Sequence, residues 1–252
     1  MDAISVKTVV LAFWFAAFFI IERRMYAAAL PKSNVRLYRN AGLWGSVFLL
    51  SPLFVLPLAA FAEGHQFWSR PDFLSGLIGV MLSIVVLDLW TYWIHRAYHE
   101  IGPMWRLHQP HHLDQHLDTT SAVRFHVFEV VLSSALRLIP ILILAIPFFH
   151  LVIFETLLLG SAIFHHSNVK LPARFEALLA KIIVTPSIHW VHHHAKRVDT
   201  DSNYAAIFSL WDRVFGSAST TKRTPDMKIG VEGIEDKALL RLLLSPFSKV
   251  KS

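Results

Sequence analysis

Three short stretches place histidines at spacings that bring imidazoles together: His95-Arg-Ala-Tyr-His99, His108-Gln-Pro-His111-His112 and His189-Trp-Val-His192-His193. On a helix, residues three and four apart share a face, one turn from each other. An i, i+4 pair can grip one metal ion, and an i, i+3, i+4 triple can grip one and lean toward a second. At a histidine frequency of about 0.06, a shuffled chain would hold roughly 0.05 copies of His-x-x-His-His, so two copies mark a built feature. Eight imidazoles packed together without a cation would leave unpaired polar groups or like charges, and a bound metal removes both problems. A lone imidazole near a membrane interface is more often an anchor or hydrogen-bond partner than a ligand, which gives His65, His116, His150 and His165 structural roles. His194 follows a completed triple at about 100° from its face and is a bystander.

Eight ligands are too many for one ion. A structural zinc takes four and a hydrolytic zinc three, so two metals sharing eight or nine nitrogens is the economical reading. Imidazole suits zinc, iron, copper and nickel alike. The absence of cysteine excludes disulfides, cysteine-based zinc sites, iron–sulfur clusters and thiolate-ligated haem. Carboxylate-type di-iron bundles carry Glu-x-x-His pairs, and the histidine-rich region holds none. The protease pattern His-Glu-x-x-His also fails, because His99-Glu100 is followed by Pro103 where the second histidine would stand. Three rival readings are a membrane zinc-dependent lipid hydrolase, a non-catalytic metal carrier and a bis-histidine haem protein. A carrier would place ligands and carboxylates near the bilayer midplane, and each haem needs only two histidines.

The elements that must position these residues are apolar. Hydrophobic residues make up 54% of the chain and charged ones 17%, against about 25% charged in ordinary globular proteins. Val9–Ile21 is a first anchor closed by Glu22, Arg23 and Arg24; Ala41–Ala62 can cross with kinks at Pro52 and Pro57; Phe73–Ile94 can cross, interrupted only by Asp88. Phe125–Phe164 is about twice the ~20 residues of one crossing and reads as a hairpin turning near Pro147–His150. Within it Arg137 sits at half depth and needs a partner, for which Glu155 on the returning helix is in reach. Phe175–Val184 and Lys237–Leu244 are amphipathic and lie at the interface. Pro110 suits the first turn of a helix opened by His111 and His112, and Pro186 that of the helix bearing His189 to His193, with Thr185 as its cap. The loop after the first span holds Arg23, Arg24, Lys32, Arg36 and Arg39 and the next only Arg70, so the first loop is cytoplasmic by the positive-inside rule. Regions 95–126 and 165–194, with 13 of the 15 histidines, then emerge on that same face. The net charge of +6 flanks apolar segments, which points to membrane and away from nucleic acid.

With these residues in place, the sequence resembles the sterol desaturase / fatty acid hydroxylase superfamily. The likeness rests on the stretch from Asp88 through His95 to His99, on Trp105-Arg-Leu-His108-Gln-Pro-His111-His112 and on Arg124-Phe-His126-Val-Phe-Glu129. It continues through His166-Ser-Asn168 with Leu171-Pro172, then Thr185-Pro186-Ser-Ile-His189-Trp-Val-His192-His193, Asn203-Tyr204 and Trp211-Asp212-Arg213-Val-Phe215-Gly216. The resemblance implies a non-haem di-iron centre that uses O2 to hydroxylate or desaturate a lipid C–H bond, with zinc as a misloading product of overexpression. It implies that the eight clustered histidines are ligands and adds His166, giving His95, His99, His108, His111, His112, His166, His189, His192 and His193 as the metal set. His126 matches a family position but takes a supporting or structural role. Asp88, about 10 Å deeper than His95 on nearly the same face, either supports the site or makes a structural hydrogen bond. The fatty acid 2-hydroxylase branch carries a fused cytochrome b5 with a His-Pro-Gly-Gly signature that does not occur in this sequence. A separate electron donor is therefore implied, cytochrome b5- or ferredoxin-like with its reductase.

The expected architecture is all-α: an integral-membrane helical bundle with a cytosolic, histidine-rich helical cap holding a dinuclear metal site. Residues 1–72 are expected to form N-terminal membrane helices, 73–216 the catalytic domain and 217–252 a C-terminal amphipathic tail. The expected substrate is a sterol, fatty acyl or alkylglycerol lipid, with O2 and the donor as partners.

Overall fold

A computed structural model describes residues 3–74 and 76–248, and among these the chain is helical, with isolated bridges and no strand. Helices α1 (Ala3–Arg24), α4 (Leu77–Glu100) and α7 (Phe148–His166) are each long and apolar enough to cross a membrane. Between the first two of these run α2 (Val35–Leu50) and α3 (Pro52–Gly64), a fourth candidate span bent by 46°. Pro52 takes the first turn of α3, where its missing N–H costs nothing, and Pro57 is held inside the helix. The bend thus falls at the first of the two prolines. Outward-facing side chains such as Phe13, Leu53 and Leu77 are more than two-thirds exposed. A water-facing surface of that kind would drive association; facing lipid, it costs nothing.

Helix α5 (Gly102–His112) corrects one expectation. The first turn is supplied by Gly102-Pro103, so His108, His111 and His112 close a helix instead of opening one, and Pro110 lies inside it. Helix α6 (Val127–Ile143) and α7 form the expected hairpin, turning through 144–147 with Ala145 at a positive φ of 47°. Short helices follow: α8 (Ala173–Leu179), α9 (Pro186–His192), α10 (Arg197–Thr200), α11 (Leu210–Val214) and α12 (Leu239–Leu244). Thr185 stands at the N-cap of α9, yet its hydroxyl meets Ser187 Oγ and makes no capping bond.

An apolar core of Leu87, Ile141, Phe154 and Ile207 with Ala62 and Ile146 ties α3, α4, α6 and α7 together. The segment joining α5 to α6 has no long helix to stiffen it and is pinned by charge instead. Arg36 forks onto Asp118 at 2.7 and 2.8 Å and reaches Asp114 at 2.5 Å. These charges are buried and paired, Arg36 with Asp118 in the bidentate geometry that makes burial tolerable. Those partners hold the Asp114 and Asp118 carboxyls below the usual carboxylate range, Asp118 at about 2, against the desolvation that pushes them up. Arg124 donates to Pro110 O, Asn40 Oδ1 and Asp236, while Glu22 accepts the amides of Thr119 and Asn168. Glu22 therefore closes the first span by clasping the cap from inside, fully buried, and Arg23 beside it covers Phe19.

Candidate metal centre

The nine sequence-predicted histidines converge into two groups in which every member offers one nitrogen within 4.8 Å of the others. One group is His95, His99, His108, His112 and His192; the other is His111, His166, His189 and His193. Helical spacing explains the division. In α5 the i, i+4 pair His108 and His112 turns to the first group and His111, at i+3, to the second. The α9 triple does the reverse: His189 and His193 join the second group and His192 the first. The last turns of α4 add His95 and His99 to one group, and the last residue of α7 adds His166 to the other. The groups share a wall, with the rings of His112 and His193 stacked at 4.2 Å.

Ring orientation is set from behind. His95 Nδ1 faces Tyr204 O at 2.8 Å, His111 Nδ1 faces Arg124 O at 3.1 Å, His166 Nδ1 faces Ala162 O at 2.8 Å and His192 Nδ1 faces Ser202 O at 2.6 Å. His108 Nδ1 meets Glu129 Oε1 at 2.7 Å. Carbonyl oxygens only accept, so Nδ1 of His95, His111, His166 and His192 carries the proton and each Nε2 a lone pair, and His108 takes the same form against an ionised Glu129. Yet His95 Nε2 and His108 Nε2 stand 3.2 Å apart, and His111 Nε2 and His166 Nε2 3.1 Å apart. Neither member of either pair has a proton to give. Lone pairs opposed at that distance, with His99 Nε2 and His192 Nε2 buried and unpartnered, fit a cation between them. Metal–nitrogen bonds of about 2.1 Å spread by about 90–100° place neighbouring nitrogens about 3.0–3.2 Å apart. Burial, followed by the neighbouring rings where they act, pushes the cap histidines far down: His108 to about 3, and His111, His112, His189, His192 and His193 well below their ordinary value. Neutral imidazole is the ligand form.

Beside both groups lies a cavity of about 420 Å3 between α4, α6 and α7, to which His95, His108, His111, His166 and His189 contribute. Its exposed surface is mostly apolar, with Ile94, Val130 and Leu158 in the walls beside the hydroxyls of Thr91, Ser133 and Ser134, and at its far end stand Arg137, Glu155 and Lys7. Arg137 Nη1 lies 3.6 Å from Glu155 Oε1, the predicted partner, and Lys7 Nζ is closer at 2.6 Å to Oε2. The Lys7 contact was not foreseen.

The remaining histidines lie outside the two groups. His194 pairs with Asp199 at 2.7 Å, His150 with Ser83 at 3.0 Å, and His65 stacks on Phe61. His126 caps α6 through Phe128 N and faces Leu243 O through Nε2, a structural role. His165 is less remote, since it lines the cavity with its ring 4.0 Å from that of His189. Asp88 takes the structural alternative: it accepts from the amides of Ile207 and Phe208 and from Trp211 Nε1. Sequence reasoning gave Glu129 no role; a carboxylate three residues after His126, entering an apolar helix, was the signal that it needed a partner.

The fatty acid hydroxylase family matches residues 80–217, more than half of the chain, and the chain belongs to that family. Among characterised proteins it is similar to an ornithine lipid hydroxylase of Rhizobium tropici (29% identity over 75% of this chain and 56% of that one). It is also similar to the human alkylglycerol monooxygenase (30% identity over 60% of this chain and 31% of that one) and to human lathosterol oxidase (26% over 69% and 56%). The chain thus spans little more than half the length of the first and third relatives and about a third of the second. No solved structure matches it significantly.

Proposed function

We propose that the protein is a membrane oxygenase that uses O2 and reducing equivalents to hydroxylate, or desaturate, a C–H bond of a lipid. The observation that carries this reading is the placement of two all-histidine groups against a largely apolar-surfaced cavity among helices long and apolar enough to cross a membrane. The relatives support it, being named as a lipid hydroxylase, an alkylglycerol monooxygenase and a sterol oxidase. The nine histidines are proposed to hold two iron ions, which when bound supply activation of O2.

The chain's own contribution is positional. The five backbone and carboxylate acceptors behind His95, His108, His111, His166 and His192 fix which nitrogen faces the metals. Aliphatic walls exclude water and align an alkyl segment beside the nitrogens, so that one carbon is presented while others are shielded. Tyr98, whose hydroxyl donates to Glu129 O at 2.9 Å, braces α4 against α6 across that cavity. Residues 73–216 are proposed as the catalytic unit. The histidine face is proposed to be cytoplasmic, where a cytochrome b5- or ferredoxin-like donor with its reductase would meet it. The test is lipid mass spectrometry on membranes of cells with and without the chain, with purified protein then assayed aerobically and under strict anoxia. An oxygen-dependent mass gain of one oxygen, or loss of two hydrogens, is expected. Lipid turnover undiminished by anoxia would overturn the oxygenase reading in favour of hydrolysis, whichever metal the preparation holds.

A further inference from the structure

A second cavity, of about 470 Å3, lies in the cap away from the histidines. It opens just beyond the ends of two crossing helices: Lys170, four residues past α7, donates its amide to the carbonyl of Met25, the first residue past α1. Its walls carry Lys170, Lys222, Arg213 and Arg223 against Glu176 and Asp212. Both carboxylates are engaged. Glu176 accepts the Ser187 amide at 2.9 Å, and Asp212 accepts the amides of Tyr204 and Ala205 and the hydroxyl of Ser217. Arg213 is committed to the carbonyls of Ala180 and Lys181. Arg223 is not. Its guanidinium lies 3.9 Å over the Trp190 ring, and its Nη1 reaches Val169 O only at 3.4 Å. Its Nε and Nη2 are closed off from solvent with no acceptor. Burial lowers its pKa to about 10, Glu176 acting in the opposite direction. Buried charged donors without acceptors are costly to keep, and a guanidinium edge is shaped for two oxygens of one anion.

The surroundings choose among anions. Phe175, Leu178 and Ile182, on and just after α8, are more than half exposed beside Glu176, and an apolar strip next to a basic recess at the ends of two spans is the geometry of a lipid headgroup level. We propose that this cavity binds the phosphate of an anionic phospholipid, with the half-buried Arg223 as its unpaired donor, Lys170 and Lys222 at the rim, and the lipid chains along Phe175, Leu178 and Ile182. The site is independent of the metal reading.

The experiment uses the full-length, metal-loaded chain in detergent and follows thermal unfolding with dioleoylphosphatidylglycerol, with dioleoylglycerol, or with inorganic phosphate alone. Saturation to about ten times Kd with the phospholipid should raise the midpoint by about 3–6 °C. Dioleoylglycerol, which has the chains without the phosphate, should give no shift. Arg223→Gln should lose at least half of the phospholipid effect, and so should Lys222→Gln, which alters an exposed side chain and leaves the Trp190 contact in place. Equal stabilisation of the wild type and both variants would overturn the site. A full shift from inorganic phosphate alone would overturn the lipid assignment.

Discussion

Glu129 offers a way to empty one histidine group while leaving the other filled. Its Oε1 holds His108 Nδ1 at 2.7 Å, whereas Asp201, the other carboxylate paired with a ring of either group among the described residues, lies 3.5 Å from His99 Nδ1. Carboxylates that orient a metal-bound histidine are worth about 10–100-fold in metal affinity, equivalent to roughly 1.4–2.8 kcal/mol. Glu129→Ala should impose that loss on the five-histidine group alone, because Glu129 bonds to none of His111, His166, His189 and His193, and His111 and His166 are supported by the carbonyls of Arg124 and Ala162. Dialysis against graded chelator, with metal counted by mass spectrometry, would then show two plateaus. At intermediate chelator strength the variant holds close to one metal per chain where the parent holds two, and Glu129→Gln, which keeps an acceptor without the charge, falls between. The metal-free forms should unfold at similar temperatures, separating loss of affinity from loss of fold. Parallel loss of both metals, or a variant indistinguishable from the parent, would refute the division of the site into two separately supported halves.

Other consequences are equally open to measurement. His192→Ala and His111→Ala, one from each group, should lower bound metal and abolish lipid oxidation, while His116→Ala and His194→Ala retain most of both; four variants behaving alike would break the assignment. In the metal-free protein the buried cap histidines stay neutral while the unfolded chain takes up protons below about 6.5, so their contribution is present above that pH and lost as it falls. Each costs about 1.4 kcal/mol per pH unit, so six together exhaust a stability of about 5–15 kcal/mol within about two units. The unfolding temperature in EDTA should therefore drop steeply between pH 6.5 and about 5, and a flat profile would contradict the neutral, buried arrangement. Glu155→Gln should lower thermal stability in detergent by leaving Arg137 and Lys7 uncompensated, and adding Arg137→Gln should return part of the loss. A double variant whose loss equals the sum of the two single losses would exclude the pair.

The histidine rings were legible because side-chain identity and helical spacing carry the information: His95 and His99 face together wherever a helix runs through them. What the sequence could not display is the set of acceptors behind the rings. Tyr204, Ser202, Arg124 and Ala162 act through backbone carbonyls, which every residue possesses. The hairpin was readable from its apolar length and the pairing of Arg137 with Glu155 from the cost of a charge at half depth. Lys7, from a helix distant in sequence, was not, because nothing local ties it to that level. Pro110 misled for a physical reason: proline favours a first turn, but Gly102-Pro103 upstream had already started the helix, and Pro110 is accommodated in its closing turn.

Asp88 shows how a residue far from the histidine groups can still govern them. Its carboxylate gathers the amides of Ile207 and Phe208 with the indole of Trp211, and Asp212 gathers those of Tyr204 and Ala205. Two carboxylates, one from a crossing helix and one from the cap, thereby clamp a single irregular loop. That loop supplies Tyr204 O to His95 and Ser202 O to His192, two rings of the same group carried by different helices. A loop without regular hydrogen bonding would ordinarily be the least ordered part of a cap. Here its amides are consumed by buried acids, so its carbonyls are left at fixed positions and free to orient imidazoles. The five-histidine group is therefore framed by carboxylates, directly at His108 and through the loop at His95 and His192. At least two members of the four-histidine group are oriented by carbonyls of α7 and the α5–α6 connection alone. Two sets of like imidazoles are thus given unequal surroundings, which under the proposed function would make two like metal ions chemically different.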